Sequence, residues 1–154
     1  MTPDAVHIWA AGFFDGEGSV LIYRRKTPSN GVTTPYNIRA TVTNTDPRPI
    51  RLLHCTYGGN VSAYRPRAPR RRAWKWTAMC RVAAKFLREV SPYLVVKREQ
   101  AEIALIMQDT IERFKRRPRP GHRGQEPLPS EEVSYRDSLH TRLLELRHPS
   151  ETVN

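Results

Sequence analysis

The fold is decided by one stretch near the start of the chain, Trp9-Ala10-Ala11-Gly12-Phe13-Phe14-Asp15-Gly16-Glu17-Gly18. Its first half predicts a short apolar helix whose small residues allow a second helix to approach closely. Gly16 and Gly18 are expected to form a tight turn with positive φ where this helix ends. Asp15 and Glu17 would then lie at the negative end of the helix dipole, where carboxylates are poorly placed unless a cation joins them. Hard divalent cations prefer such oxygen ligands, so the stretch predicts a metal-binding turn.

Two simpler interpretations of this acidic turn stay open. Asp-Gly pairs are common in ordinary surface turns, because both residues adopt turn conformations at little cost. An EF-hand loop fits less well, since that motif needs a glycine at its sixth position and a bidentate acid at its twelfth. Those positions are occupied here by Val20 and Lys26. The turn alone therefore does not decide between a surface turn and a metal site.

Length and charge narrow the class of protein. The chain has 154 residues, and its 26 Lys and Arg against 15 Asp and Glu give a net charge of +11. This length suits one domain with a real core, and this charge favours a polyanionic partner, nucleic acid before anionic membrane. No apolar stretch approaches the roughly 20 residues that span a bilayer, and the first residues do not resemble a signal peptide. Cys55 and Cys80 match neither a disulfide framework nor a zinc motif. We therefore expect an intracellular protein that is not secreted and does not use a membrane.

The predicted elements follow the order α-β-β-α-β-β-α-α, a single α/β unit. Asp4 is expected to cap a first helix from Ala5 to Asp15. The strand from Tyr36 to Thr43 alternates apolar and polar residues, which predicts a sheet buried on one side only. Ser130 is expected to cap the last helix. In two later helices the apolar spacing predicts the inward residues, which are Val82, Phe86, Leu87 and Val90 in the helix from Arg81 and Leu139, Leu143, Leu144 and Leu146 in the last one.

Two segments resemble those of a known family. The apolar residues from Ile8 to Phe14, followed by Asp15-Gly16-Glu17-Gly18, resemble the signature of the LAGLIDADG homing endonucleases, in the variant whose last acid is Glu. Ala10 replaces the leading Leu of that motif, and Phe13-Phe14 stands in its middle, but all of these residues are apolar. The segment from Pro92 to Ala101 is similar to a second landmark of the family, "PyL..K..qA". The order of elements from about Asp4 to Arg117 is also that of the family.

The resemblance implies a fold, an activity and an organisation of the chain. The fold would be α+β, with a twisted antiparallel sheet that binds DNA and an extra C-terminal helix. The activity would be that of a site-specific homing endonuclease, which cuts both strands of a long, nearly palindromic target on chromosomal or organellar DNA. One motif per chain implies a homodimer, and Mg²⁺ is the expected cofactor, with Mn²⁺ or Ca²⁺ as other ions for the same site. The chain would comprise an endonuclease domain (1–117), a basic linker rich in Pro and Gly (118–129), and a C-terminal helix and tail packing on that domain (130–154).

The resemblance also assigns roles to active-site residues. Glu17 would bind the metal directly, together with the backbone of Gly16, and Lys97 would be the basic catalytic residue. Asn44 falls where the family places a polar residue that orients the attacking water, and Arg48 would be its basic neighbour. Asn and Arg beside a turn are also simple capping or solvated residues, so this alternative stays open for both.

The remaining motif residues are given supporting roles. Asp15 is expected to be structural, its side chain capping or bridging near the end of the helix. Ala10, Ala11, Gly12 and Phe13 are expected to form the seam between two copies of the chain.

The polar faces of the two predicted hairpins offer a basic surface for double-stranded DNA, because an antiparallel ribbon fits the major groove. The residues expected on that surface are Arg24, Arg25, Lys26, Asn37, Arg39, Thr41, Ser62, Tyr64, Arg65, Lys75 and Thr77. An arginine-rich loop is better suited to phosphates, and its expected contacts are Arg67, Arg70, Arg71 and Arg72. Trp74 and Trp76 are assigned to the core.

Two alternative functions stay open at this point. The first is an RNA-binding intron-splicing maturase on the same fold, which would make intron RNA a partner. The second is a non-catalytic basic protein that binds nucleic acid. The maturase predicts RNA binding with no cut on any cognate DNA. The non-catalytic binder predicts that Glu17→Gln and Lys97→Ala leave the function intact and that the chain forms no twofold dimer.

Overall fold

A computed structural model describes residues 2–24, 36–65, 71–114 and 128–148. The helices in these ranges are α1 (Pro3–Glu17), α2 (Pro47–Tyr57), α3 (Cys80–Val90), α4 (Arg98–Arg113) and α5 (Ser130–Arg147). The strands are β1 (Gly18–Arg24), β2 (Tyr36–Asn44), β3 (Asn60–Tyr64) and β4 (Ala73–Met79). A short 3-10 helix, Ser91–Tyr93, follows α3.

The four strands form one antiparallel sheet in the order β1-β2-β4-β3. Strand β2 is central, with Thr41 opposite Ser19 on one side and Thr77 on the other. Alternate residues such as Val20 and Ile38 are fully buried, because the helices cover one face of the sheet. The predicted α+β class with an antiparallel sheet is confirmed.

An aromatic cluster joins the helices to the sheet. The ring of Phe86 on α3 makes edge-to-face contacts with Phe14, Tyr57 and Trp76, at centroid distances of 4.9 to 5.0 Å. These residues come from α1, α2 and β4, so one side chain connects four elements. Such arrangements are favoured by the quadrupoles of the rings. Trp76 is fully buried, as its alternation with Lys75 predicts.

The first helix differs from its prediction at both ends. Thr2, not Asp4, is the N-cap, and its hydroxyl accepts the backbone N–H of Ala5 at 3.3 Å. At the other end the helix continues through Glu17 directly into β1, so there is no positive-φ turn. Gly16 lies in the last helical turn, and Gly18 has an extended backbone with φ −90° and ψ 169°. The two acids are therefore part of the helix itself.

Two apolar side chains predicted to be inward are exposed. Val82 on α3 is 37% exposed and Leu144 on α5 is 41% exposed, because the buried faces of these helices lie one position away. The N-cap of α5 is Pro129, and no side chain caps that helix. Helix α5 packs on α4 and β1.

The predicted linker 118–129 lies outside the described residues, except for Leu128 and Pro129. No helix within the described ranges is long and apolar enough to cross a membrane.

Candidate active site and nucleic-acid interface

Asp15 fixes the loop that leads into α4. Its Oδ2 accepts the backbone N–H groups of Val95 and Val96, at 2.7 and 3.2 Å, and its Oδ1 accepts that of Lys97 at 2.9 Å. Hydrogen bonds to an ionised carboxylate are stronger than those between neutral groups. Both oxygens of Asp15 therefore accept backbone donors of the same loop, which gives this carboxylate a structural role.

Lys97 is held at the same place by its side chain. It is the N-cap residue of α4, and its ammonium group donates to the backbone carbonyl oxygen of Asp15. The side chain is half-buried. Lys97 thus binds Asp15, 82 positions earlier in the chain, through both its backbone N–H and its ammonium group. The positive charge of Lys97 therefore lies beside the C-terminus of α1.

Glu17 has the opposite environment. It is the last residue of α1 and is exposed, and its carboxylate makes no hydrogen bond or ion pair with any other residue that the structure describes. The carbonyl groups at the end of a helix carry a partial negative charge. A free carboxylate in that position attracts a cation, so the two acids of the motif differ in what they are able to bind.

Gly18 makes the direct connection between α1 and β1 possible. A Cβ at this position would clash with the ring of Phe14 and would lie 2.6 Å from the carbonyl oxygen of Phe14. The backbone N–H of Gly18 donates to that same oxygen. The glycine is therefore required by close approach, and its φ is one that any residue adopts.

Asn44 and Arg48 take part in the turn between β2 and α2. Asn44 Oδ1 accepts the backbone N–H of Asp46 at 2.8 Å, and Asp46 caps α2 by accepting the N–H of Arg48 at 2.9 Å. The guanidinium of Arg48 binds the same carboxylate and lowers the pKa of Asp46 to about 2. Both predicted catalytic residues make the contacts expected of capping residues.

The register still brings Asn44 to the same end of the sheet as the two acids. Gly18, which follows Glu17 directly, pairs with Val42, two residues before Asn44. Asp15 and Lys97 are joined at this end by the contacts described above, and Glu17 follows Asp15 by two residues on α1. Arg48 is turned toward Asp46 instead.

The predicted dimer seam is wrong for two of its four residues. Ala10 and Ala11 are fully buried within the chain, since this side of α1 faces the protein's own core. The exposed stripe of α1 instead contains Ile8, Gly12 and Gly16. Ile8 is 54% exposed, and a Cβ at either glycine would meet nothing within 4 Å.

Phe13 lies beside this stripe. It is half-buried and stacks on Trp9, with the ring centroids 5.4 Å apart. Stripe residues are spaced four apart, which is one face of a helix. Alanine does not reveal its side in the sequence, because it is small enough for either environment.

The sheet face away from the helices, called the open face below, carries most of the polar residues of the four strands together with the apolar Leu21 and Met79; Thr41 shares this face but is only 8% exposed. The register aligns the open-face residues across the sheet as Ser19, Leu21, Tyr23, Asn37, Arg39, Thr41, Thr43, Asn60, Ser62, Lys75, Thr77 and Met79. Most of the predicted base-contacting residues are among them. Tyr23 was not predicted, although strict alternation from Ser19 could have indicated it.

Arg39 lies near the centre of the open face. Its guanidinium stands over the ring of Tyr23, 5.5 Å from the centroid, an arrangement favoured by cation–π attraction. Asn37 accepts a weak hydrogen bond from the thiol of Cys80 at 3.5 Å.

The assignment of Arg24 to the polar face is wrong. Arg24 pairs with Tyr36 in the register and shares the helix side of the sheet with Val20 and Ile22. Its guanidinium forms an ion pair with Asp137 of α5, at 3.3 Å.

Several predicted DNA contacts lie outside the described residues, namely Arg25, Lys26, Arg67 and Arg70; the side chain of Tyr64 also belongs to this group. Arg65, Arg71 and Arg72 border the β3–β4 connection and are exposed. Arg72 stands over the ring of Trp74, 5.3 Å from its centroid.

Comparison with solved structures identifies this arrangement. The chain is similar to the homing endonuclease I-CvuI in complex with its target in the presence of Ca, with a TM-score of 0.73 and 16% identity over 99% of this chain and 88% of that one. It is also similar to the archaeal intron-encoded homing endonuclease I-Vdi141I complexed with DNA, with a TM-score of 0.72 and 13% identity over 98% and 87% of the two chains.

The fold is that of the LAGLIDADG homing endonucleases. A third neighbour, the LAGLIDADG homing endonuclease I-SmaMI bound to cleaved DNA, aligns over 87% of this chain but only 42% of its own, with a TM-score of 0.64 and 17% identity. No family model and no curated protein matches the sequence. The LAGLIDADG fold predicted from two short motifs is thus confirmed by structure, at identities that sequence comparison does not detect.

Proposed function

We propose that this protein is a site-specific DNA endonuclease, which hydrolyses phosphodiester bonds on both strands of a long, nearly palindromic target. The observation that carries the proposal is the pair of acids at the end of α1. Asp15 is fully engaged in anchoring Lys97, while Glu17 is exposed and unpaired among the described residues. A free carboxylate can hold a divalent ion, and a lysine can stabilise negative charge that develops on a phosphate, and phosphodiester hydrolysis needs both.

The solved neighbours support DNA as the substrate. I-CvuI is in complex with its target, and I-Vdi141I is complexed with DNA. The net charge of +11 agrees with a polyanionic partner. The open face supplies the required donors and acceptors, since Asn, Arg and Thr side chains hydrogen-bond base edges in the major groove.

The donor set at Glu17 fits Mg²⁺. This ion is commonly held by one or two carboxylates together with substrate phosphates, and it keeps several of its waters. Within the described residues no group of three or more His, Cys, Asp or Glu side chains could hold a metal ion, and the proposed ion would be held by Glu17 together with substrate phosphates and water. Mn²⁺ or Ca²⁺ would be held by the same oxygens. A bound divalent ion would neutralise phosphate charge and activate water.

Residues of the chain would bind the ion, stabilise negative charge and orient water. Glu17, with the backbone of Gly16, would hold the ion. Lys97 would stabilise negative charge that develops on the phosphate, because its ammonium is preorganised by Asp15 and needs no rearrangement during the reaction. Asn44 retains an amide N–H₂ group that would orient water.

Cutting both strands requires a second site, which a second copy of the chain would supply. The stripe of Ile8, Gly12 and Gly16 suits this contact, because small residues allow two helix backbones to approach closely. Each α1 ends in Glu17, so packing two copies of this helix would bring two active sites together. A twofold dimer would also explain a nearly palindromic target.

The test begins with a target. A library of randomised duplexes is incubated with the protein and Mg²⁺, and the cut ends are sequenced. We expect one long, nearly palindromic site to be enriched. Glu17→Gln should abolish cutting of that site while binding persists, and the matched control Glu102→Gln, an exposed acid on the outer side of α4, should cut normally.

Other outcomes would redirect the proposal. Specific DNA binding with no cutting by the wild-type protein would support a non-catalytic binder. Tight binding of structured intron RNA without DNA cutting would support a maturase. Cutting that persists in Glu17→Gln would reject the assigned site.

A further inference from the structure

Asp137 on α5 contacts both strands at one end of the β1–β2 pair. Its carboxylate accepts the hydroxyl of Tyr36, the first residue of β2, and forms an ion pair with Arg24, the last residue of β1. The N–O distance of the ion pair is 3.3 Å. One side chain of the C-terminal helix thus binds both members of a cross-strand pair.

That pair is the last one described before residues 25–35. Tyr36 and Arg24 are directly opposite in the register. Asp137 therefore ties the two points at which the chain leaves and re-enters the β1–β2 pair. The next cross-strand pair, Tyr23 with Asn37, points to the open face.

The helix that carries Asp137 is itself firmly attached. The adjacent residue, Arg136, is buried, and its guanidinium binds Glu132 at 2.6 Å and the carbonyl oxygen of Thr110 at 3.0 Å. This carbonyl belongs to the last turn of α4. The Glu132 pair lies within α5 and holds the guanidinium in place, while the bond to Thr110 crosses to α4. Rotation of α5 would break that crossing bond in a buried site, which is costly, so the position of Asp137 beside it is fixed.

We propose that Asp137 is a positioning residue for DNA recognition, which holds the outer end of the β1–β2 pair so that Tyr23 and Asn37 meet the target in one register. The inference rests on the proposed endonuclease function, since it concerns the same DNA. It gives α5 a role in recognition although the helix lies on the opposite side of the sheet from the open face. Asp137 acts through Tyr36 and Arg24 and does not touch DNA.

The test measures discrimination at each base pair. Proteins carrying Glu17→Gln, which bind without cutting, are titrated against the selected target and a panel of its single-base-pair variants. Asn37→Ala first identifies the base pairs that the outer end of the sheet recognises. Asp137→Asn should then lower discrimination roughly tenfold at those same base pairs, the scale of one specific contact, and leave the other positions unchanged.

Two further variants separate positioning from stability. Arg142→Ala removes an ion pair of α5 with Glu99 of α4 and should leave every position of the panel unchanged. Tyr36→Phe removes only a hydroxyl and should reproduce the effect of Asp137→Asn in weaker form, which keeps the test valid if Asp137→Asn does not fold.

The outcomes distinguish the two proposals. If Asp137→Asn and Tyr36→Phe weaken binding equally for all duplexes, or match Arg142→Ala throughout, the positioning role is overturned and the nuclease proposal stands. If the Glu17→Gln protein binds no duplex selectively, both proposals fail.

Discussion

Asp15 and Lys97 are joined at two points: the carboxylate of Asp15 accepts the backbone N–H of Lys97 at 2.9 Å, and the ammonium of Lys97 donates back to the carbonyl oxygen of Asp15. The first acid of the motif therefore belongs to the framework of the protein. The second acid, Glu17, has no such partner in the described part of the chain.

Asp15→Asn should lower the free energy of unfolding by about 3 kcal/mol, since it weakens charge-assisted bonds to three backbone donors. Glu17→Gln should instead leave stability unchanged or raise it by up to about 1 kcal/mol, because it removes a charge from the negative end of a helix. Urea denaturation followed by circular dichroism measures both. Equal losses in the two variants would contradict the division of roles.

Gly18→Ala should destabilise the protein by about 1 to 3 kcal/mol, the usual cost of forcing a methyl group into a packed site. The new Cβ would meet both the ring and the backbone of Phe14. Gly16→Ala is the matched control, measured in the Gly12→Leu background that is expected to be monomeric, because Gly16 belongs to the proposed contact between copies. Within the chain it lies in the last turn of α1 with open space around it. We expect it to stabilise the helix by up to about 1 kcal/mol. Thermal melts of the two variants would show opposite shifts.

Gly12→Leu should prevent association of two copies while the single chain folds normally. The position faces open space in the chain, but a bulky side chain would hold two α1 helices apart. Sedimentation should show a monomer for this variant and a dimer for the wild type, and double-strand cutting should be lost. Glu102→Leu, on the exposed side of α4, should remain dimeric. A dimeric Gly12→Leu protein would place the seam elsewhere.

The hydroxyl of Tyr36 should lose its proton only at high pH, and the free energy of unfolding should fall over the same pH range. Burial and its hydrogen bond to Asp137 raise the pKa of Tyr36 to about 12, and burial raises the pKa of Tyr57 to about 12. Both values lie above the unfolded pKa of about 10, so their stabilisation is complete below pH 10 and is lost as pH rises toward 12.

Phenolate absorbance measures this titration directly. Asp137→Asn should lower the pKa of Tyr36, because two of the causes that raise it come from Asp137. Arg142→Ala should leave the curve unchanged. An unshifted Tyr36 in Asp137→Asn would show that the hydrogen bond is absent in solution.

Arg39→Ala and Arg72→Ala should weaken DNA binding in different ways. Arg39 lies in the middle of the open face, so its loss should relax discrimination at one base pair by about 1 to 3 kcal/mol. Arg72 borders the β3–β4 connection, and its loss should weaken all duplexes equally and reduce the salt dependence. Titrations at two salt concentrations separate these effects. A uniform loss in Arg39→Ala would make it a phosphate contact.

Local patterns predicted the parts of the fold that depend on nearby residues. The alternation in β2 predicted its buried row. The pair Asp46-Pro47, an N-cap residue followed by proline, is typical of a helix start, and the Asp46 side chain accepts the N–H of Arg48 at the start of α2. The LAGLIDADG fold was also predicted, because the motif that resembles this family consists of consecutive residues and is visible in the sequence without any knowledge of distant contacts.

Contacts between distant elements were beyond those patterns. The inward side of Ala10 and Ala11 was missed because alanine fits a core and an interface equally well. The hydrogen bond and the ion pair of Asp137 with Tyr36 and Arg24 join residues about a hundred positions apart. The spacing of apolar residues in the sequence does not predict contacts of this kind. Position 18 requires a glycine because the ring of Phe14 lies against it. This contact is visible only in the structure, where α1 continues directly into β1.

Asp15 and Glu17 are separated by one glycine but have different roles, and this difference predicts which substitutions accumulate when the nuclease activity is lost in evolution. A lineage that loses Glu17 would keep a folded, DNA-binding protein that no longer cuts, and that protein would persist and be open to a new use. A lineage that loses Asp15 would lose the loop before α4 and the placement of Lys97 together, and its product would be cleared by proteolysis. Inactive descendants still present in genomes should therefore carry substitutions at position 17 far more often than at position 15.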